Sequence, residues 1–177
     1  QYLYLSGNGF GDADVQSLFE GLGRGAAPSL RILDLSFNKF GPAGAEALAA
    51  ALRRGAMPKL MVLGISGNPI GNQGAAALAA PLRKLSALNR LLLGQCGIGD
   101  DGLASLVDNL GKDDFKALEY LWLCNNKITD AGVAKLLAAL DAGRLPKLGN
   151  HSYLLEENPA SAVAVEAVNH ALVKRSQ

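Results

Sequence analysis

The stretch Leu118-Glu119-Tyr120-Leu121-Trp122-Leu123-Cys124-Asn125-Asn126-Lys127-Ile128-Thr129-Asp130-Ala131-Gly132 carries two periodicities in a short span. Leu121 and Leu123 are two apart, so both point to one side of a strand. Asn126 ends the apolar run and Ile128 follows it. Beyond Gly132, Leu136 and Leu140 are four apart and share one stripe of a helix. A lone strand-turn-helix unit cannot bury the apolar edge these residues form; stacked copies bury each other's.

The copies are present on either side. Asn8, Asn38, Asn68, Asn126 and Asn158 each close a short apolar run, and Cys96 takes the same place in a sixth, at spacings of 30, 30, 28, 30 and 32 residues. Before these anchors stand Leu3 and Leu5, Leu33 and Leu35, Leu63 and Ile65, Leu91 and Leu93, Leu121 and Leu123, and Tyr153 and Leu155. The helical pair recurs as Leu18 and Leu22, Leu48 and Leu52, Leu78 and Leu82, Leu106 and Leu110, Leu136 and Leu140, and Val168 and Leu172. The pattern predicts an α/β solenoid in one domain over residues 1–177, with parallel strands near 2–5, 32–35, 62–65, 90–93, 120–123 and 152–155 and helices on the opposite side. Gly44, Gly74, Gly102 and Gly132 share one register before the helix body, and Pro28, Pro58 and Pro146 stop the chain from continuing as helix before the next strand.

The consensus L-x-x-L-x-L-x-x-N-x-I-x-x-x-G-x-x-x-L-x-x-x-L resembles the ribonuclease-inhibitor-like subclass of leucine-rich repeats, which also occurs in the sensing ends of NOD-like receptors and in the Ran GTPase-activating protein. The resemblance spans almost the whole chain. It implies a curved horseshoe, strands concave and helices convex, and no single activity. In this family the anchor asparagine satisfies backbone groups of the strand-to-helix turn; Cys96 departs from that, with a thiol that donates weakly and packs as a small apolar group. The last repeat also departs. Leu148 lies five residues before Tyr153 where three is the rule, so Gly149 to Ser152 are expected to bulge. The helix from Ala162 to about Arg175 reads as part of a C-terminal cap over 159–177. No such cap precedes Gln1, where further repeats or a partner are expected.

Strand positions that alternate with the inward leucines face outward. One such row reads Tyr2, Ile32, Val62, Arg90, Tyr120, Ser152, and the next Tyr4, Asp34, Gly64, Leu92, Trp122, Leu154. At about 4.8 Å per strand the face is about 24 Å wide. A solvated face is mostly polar, whereas this one is apolar and aromatic, the usual composition of a protein contact. The candidate partner-binding residues are Tyr2, Tyr4, Ile32, Asp34, Phe37, Arg90, Leu92, Tyr120, Trp122 and Leu154. Tyr120 and the single tryptophan, Trp122, are the expected anchors. Gly64, Gly67, Gly94 and Gly97 are expected to leave a dip that a partner side chain fills.

Other chemistries find little support. The 17 basic and 16 acidic residues give no general pull toward nucleic acid or an acidic membrane, and no run is long and apolar enough to span a bilayer. Gly7-x-Gly9-x-Gly11 and Gly21-x-Gly23-x-Gly25 lack phosphate-loop spacing. His151 and His170 lie nineteen apart with no ligand partners, so neither a metal nor a cofactor is expected. Cys96 and Cys124 are expected to face opposite ways, and so few cysteines fit a reducing, intracellular setting, cytoplasmic or within an organelle. The reading is a non-catalytic module that binds a protein partner through its concave face. The alternatives are a regulator of a small GTPase, with Arg90, Lys39 and Lys127 as candidate activating groups, or a structural subunit of a large assembly.

Overall fold

The computed structural model describes residues 1–151 and 153–175. Strands and helices alternate as β1 (Tyr2–Tyr4), α1 (Asp12–Phe19), β2 (Ile32–Asp34), α2 (Pro42–Arg53), β3 (Val62–Gly64), α3 (Gly71–Arg83), β4 (Arg90–Leu92), α4 (Asp100–Val107), β5 (Tyr120–Trp122), α5 (Asp130–Asp141) and α6 (Ala162–Arg175). The five described strands form one parallel sheet in chain order. Each helix packs on the helices of the neighbouring repeats. Strands repeat at about 4.8 Å and packed helices at about 8–10 Å, so the strands take the inner side of a curved solenoid. Between the layers lie the inward leucines: Leu33, Leu63 and Leu91 are inaccessible to solvent, while Leu3, at the open edge of β1, is 36% exposed.

The anchor asparagines fix the spacing of the repeats. Asn126 Nδ2 donates to Leu123 O of its own repeat (2.9 Å) and to Leu93 O of the preceding one (2.8 Å), and its Oδ1 accepts the backbone N–H of Cys96 (3.0 Å) and Ile98 (2.9 Å). Asn38 makes the same four bonds to the first repeat, and Asn158 extends the ladder to the fifth. Cys96 keeps only the donor half: its thiol reaches Ile65 O and Gly94 O at 3.4 Å. Burial pushes that thiol up to about 11, so the proton it donates stays in place at neutral pH. Having no side-chain carbonyl, it cannot serve the preceding turn, which is correspondingly different. Ile70 N–H turns back to Asn68 O, and Gly71 takes a left-handed φ of +61° and donates to Cys96 O.

A second lateral ladder runs along the helix starts. Asp12 Oδ1 accepts the N–H groups of Gly41 and Gly44, Asn72 Oδ1 those of Gly99 and Gly102, and Asp100 Oδ1 those of Thr129 and Gly132. Each side chain thus caps the helix of the next repeat and meets the positive end of its dipole. This accounts for Gly44, Gly102 and Gly132, while at Gly74 a Cβ would instead come within 2.6 Å of Ile70 Cβ. A Cβ on Gly132 would sit 2.4 Å from Asp100 Oδ1, and one on Gly102 2.6 Å from Asn72 Oδ1. Partial burial pushes the Asp100 carboxyl up, but bonds from the Thr129 hydroxyl and N–H and from Gly132 N–H together outweigh it and hold the group below its ordinary value.

The expected sixth strand does not form as such. Ser152 lies outside the described residues, and Tyr153 to Leu155 are turn and bend. They still run beside β5, where Leu123 N–H donates to Tyr153 O and Leu154 O.

Two outcomes follow. Asn126→Ala strands two buried N–H groups and two carbonyls, and should lower unfolding free energy in urea by about 3 kcal/mol; a loss under about 1 kcal/mol would deny the ladder its role. The lowered Asp100 group contributes stability present above about pH 4 and lost as pH falls through its depressed titration. Asp100→Asn keeps the Oδ1 acceptor, so between pH 5 and 2, roughly, its melting temperature should fall less steeply than that of the parent.

Candidate functional site

The sheet registers place the outward residues side by side. Tyr2, Ile32, Val62, Arg90 and Tyr120 are consecutive partners, as are Tyr4, Asp34, Gly64, Leu92 and Trp122. Tyr2 and Tyr4 are 63% and 64% exposed with ring centroids 6.5 Å apart, while Ile32, Asp34, Leu92, Tyr120 and Trp122 are half-buried and Arg90 is exposed.

At the far end the aromatic groups stack. The Arg90 guanidinium lies 4.4 Å from the centroid of the Tyr120 ring, an attraction to the π face. The His151 ring stacks on Tyr120 at 4.0 Å and 15°, with Nε2 3.0 Å from Glu119 O. Trp122 meets the Tyr153 ring at 4.9 Å.

Leu154 is not part of this face. It is 2% exposed and belongs to the core, whereas Tyr153, expected inside, is 51% exposed. Tyr153 to Leu155 are turn and bend rather than strand, so alternation does not govern them. Leu154 N–H closes a turn on His151 O, and Leu154 and Leu155 both pack inward while Tyr153 turns out. Tyr153 and His151 were therefore missed by pattern reading. The irregular spacing was the available signal, but it does not say which way a side chain turns.

Phe37 sits at the exit of β2, in the turn position that Gly7, Gly67, Gln95, Asn125 and Glu157 occupy in other repeats, all with positive φ. Phe37 has φ +54° and is 61% exposed. A bulky side chain in the left-handed region costs about 1–2 kcal/mol that glycine avoids and asparagine reduces. Its ring lies over Gly67, where a Cβ would come within 2.6 Å of Phe37 Cδ1. Gly64 and Gly94, two of the four glycines expected to form a dip, lie buried on the strand side; Gly97 serves a left-handed turn. Cys96 and Cys124 are free thiols, the first inaccessible and the second half-buried beside Gly94. Burial pushes Cys124 up as well.

Arg90, Lys39 and Lys127 do not converge. Arg90 is held over Tyr120, and Lys39 and Lys127 occupy equivalent turns three repeats apart, roughly 14 Å at about 4.8 Å per repeat. Among the described residues no group of three or more His, Cys, Asp or Glu side chains could hold a metal ion, and no helix is long and apolar enough to cross a membrane.

Comparison with known proteins bears on this architecture. The pattern described as "Leucine Rich repeat" matches residues 1–19, 26–49, 56–79 and 85–107, just over half of the chain. Among solved structures, the chain is similar to "Leiomodin-1 Actin-Binding Site 2 (ABS2)", with a TM-score of 0.55 and 15% identity over 75% of this chain and 72% of that one. No curated protein matches.

Phe37→Asn places a residue with left-handed preference in the same turn. Urea denaturation should show stability unchanged or raised by up to about 1 kcal/mol; a loss of about 1 kcal/mol or more would make the ring a structural element.

Proposed function

The chain belongs to the leucine-rich repeat family, and on that premise we propose that it is a non-catalytic module that binds a protein partner through the strand face of the solenoid. The observation that carries this is the aromatic surface. Tyr2, Tyr4, Phe37 and Tyr153 are each more than half exposed, and the two ends of the face are joined through Leu92, Tyr120 and Trp122. Exposed aromatic groups on a rigid sheet lose little conformational entropy on binding and offer large desolvated contacts.

Proteins of this family and fold are typically interaction modules rather than catalysts, and the similar segment of leiomodin-1 is an actin-binding site, a precedent for holding a protein on this scaffold. Within the family, repeats of 28 to 32 residues with helices on the outer side support the ribonuclease-inhibitor-like subclass. Two unpaired thiols support an intracellular, reducing setting. Holding Phe37 in the left-handed region supports contact as its role.

The test is affinity capture from a native lysate with quantitative mass spectrometry, comparing the parent chain with Trp122→Ala/Tyr153→Ala and with Ala134→Lys on the exposed side of α5. Proteins retained by the parent and by the α5 variant should drop about tenfold with the double variant, and their binding should slow alkylation of Cys124. Equal recovery by the double variant, shown to be folded by its melting temperature, would move the contact off this face.

A further inference from the structure

Between Phe37 on one side and Trp122 with Tyr153 on the other, the strand face sinks into a hollow of about 350 Å³. Ser66, Gly94 and Leu92 line its middle. Of the described residues that line it, Asp34 alone carries a formal charge.

Asp34 stands in β2 facing outward, and its carboxylate leans over β3: a Cβ on Gly64 would come within 2.7 Å of Asp34 Oδ1. Glycine at that strand position thus leaves room for the carboxylate. Oδ1 accepts the Ser36 N–H at 3.0 Å. Among the described residues no hydrogen bond engages Oδ2 and no cation lies within ion-pairing distance; the ion pairs there are Arg53 with Glu46, Lys84 with Asp114 and Lys135 with Asp108. Arg90, the cation in the outward rows, is placed against Tyr120 and does not line the hollow.

A half-buried carboxylate with a free oxygen, in a hollow whose rims are aromatic, is costly to desolvate against an apolar partner. A cation changes the sign of that contact. It pairs with the carboxylate, and the faces of phenylalanine, tryptophan and tyrosine attract it. An anionic partner group would meet repulsion from both.

Resting on the binding-face reading above, we propose that this hollow receives a cationic side chain of the partner polypeptide, arginine in preference to lysine, paired with Asp34 and flanked by Phe37 and Trp122. Arginine fits better because its flat guanidinium stacks on rings while donating two parallel hydrogen bonds to a carboxylate.

The experiment uses a displayed library of random peptides of about twelve residues, selected on the parent chain. The selected peptides are then measured against Asp34→Asn and against Trp122→Ala/Tyr153→Ala. Asp34→Asn keeps an acceptor for the Ser36 N–H and removes only the charge, so its melting temperature should match the parent's. Selected peptides should share an arginine or lysine. Binding should fall about tenfold on Asp34→Asn, and about tenfold when that residue is replaced by neutral citrulline or norleucine. It should also weaken as salt is raised from roughly 50 to 500 mM. Peptides that are lost on the tryptophan-tyrosine variant and shield Cys124 from alkylation, yet are indifferent to Asp34→Asn, would overturn the cation and leave the face standing. Peptides none of which depend on Trp122 and Tyr153 would overturn both.

Discussion

Asn38 and Asn126 each lie between two consecutive repeats and join four backbone groups that regular secondary structure leaves open. The strand has ended and the helix has not begun, so the N–H and C=O groups there have no ladder of their own. Buried unpaired, each would cost on the order of 1–3 kcal/mol. One side-chain amide, with its carbonyl toward the previous turn and its NH₂ toward two strand carbonyls, satisfies them and sets the offset of one repeat on the next. The registers Leu3 with Leu33, Leu33 with Leu63, Leu63 with Leu91 and Leu91 with Leu121 are the result. Where Cys96 breaks the series, the donor contacts survive through a thiol and the acceptor contacts do not, and the turn at Asn68 to Gly71 rearranges to satisfy itself.

The binding face depends on that offset. Because the repeats stack without slippage, outward residues of unrelated identity fall into straight rows, and groups far apart in sequence become one surface. Two lateral ladders, one of anchor amides and one of Asp12, Asn72 and Asp100, brace the sheet from the turn and from the helix starts. A partner would meet a rigid surface whose side chains are already ordered, which lowers the entropic cost of association. The cost of placing Phe37 in a left-handed turn and the Asp34 carboxylate in a hollow without a cation falls on the free protein, and contact is what would offset it.

The fold was legible because its signal is repeated. A single L-x-L could be a strand or chance, but several copies in register with the helical pair leave no other architecture, and the strand rows read from the sequence are the rows that pair. Asp12, Asn72 and Asp100 were harder to place. Asp100 opens its own helix, yet its carboxylate serves the next one, because a side chain at that position reaches across the narrow gap between repeats. Reading failed at the last repeat, where a turn replaces the strand, alternation no longer applies, and Tyr153 rather than Leu154 reaches the surface.

The sequence by itself determined which residues are inward and which outward wherever the period held, since a strand turns its side chains by alternation and a helix by its 3.6-residue pitch. It determined the kind of surface as well, aromatic and nearly balanced in charge. Only the tertiary structure decided how those side chains meet: that Arg90 and His151 flank Tyr120 and that Tyr153 joins Trp122. Only it showed that Asp34 faces a hollow with an oxygen to spare. These contacts join residues about thirty or more positions apart, at distances fixed by the packing of one repeat on another, and no local periodicity encodes them.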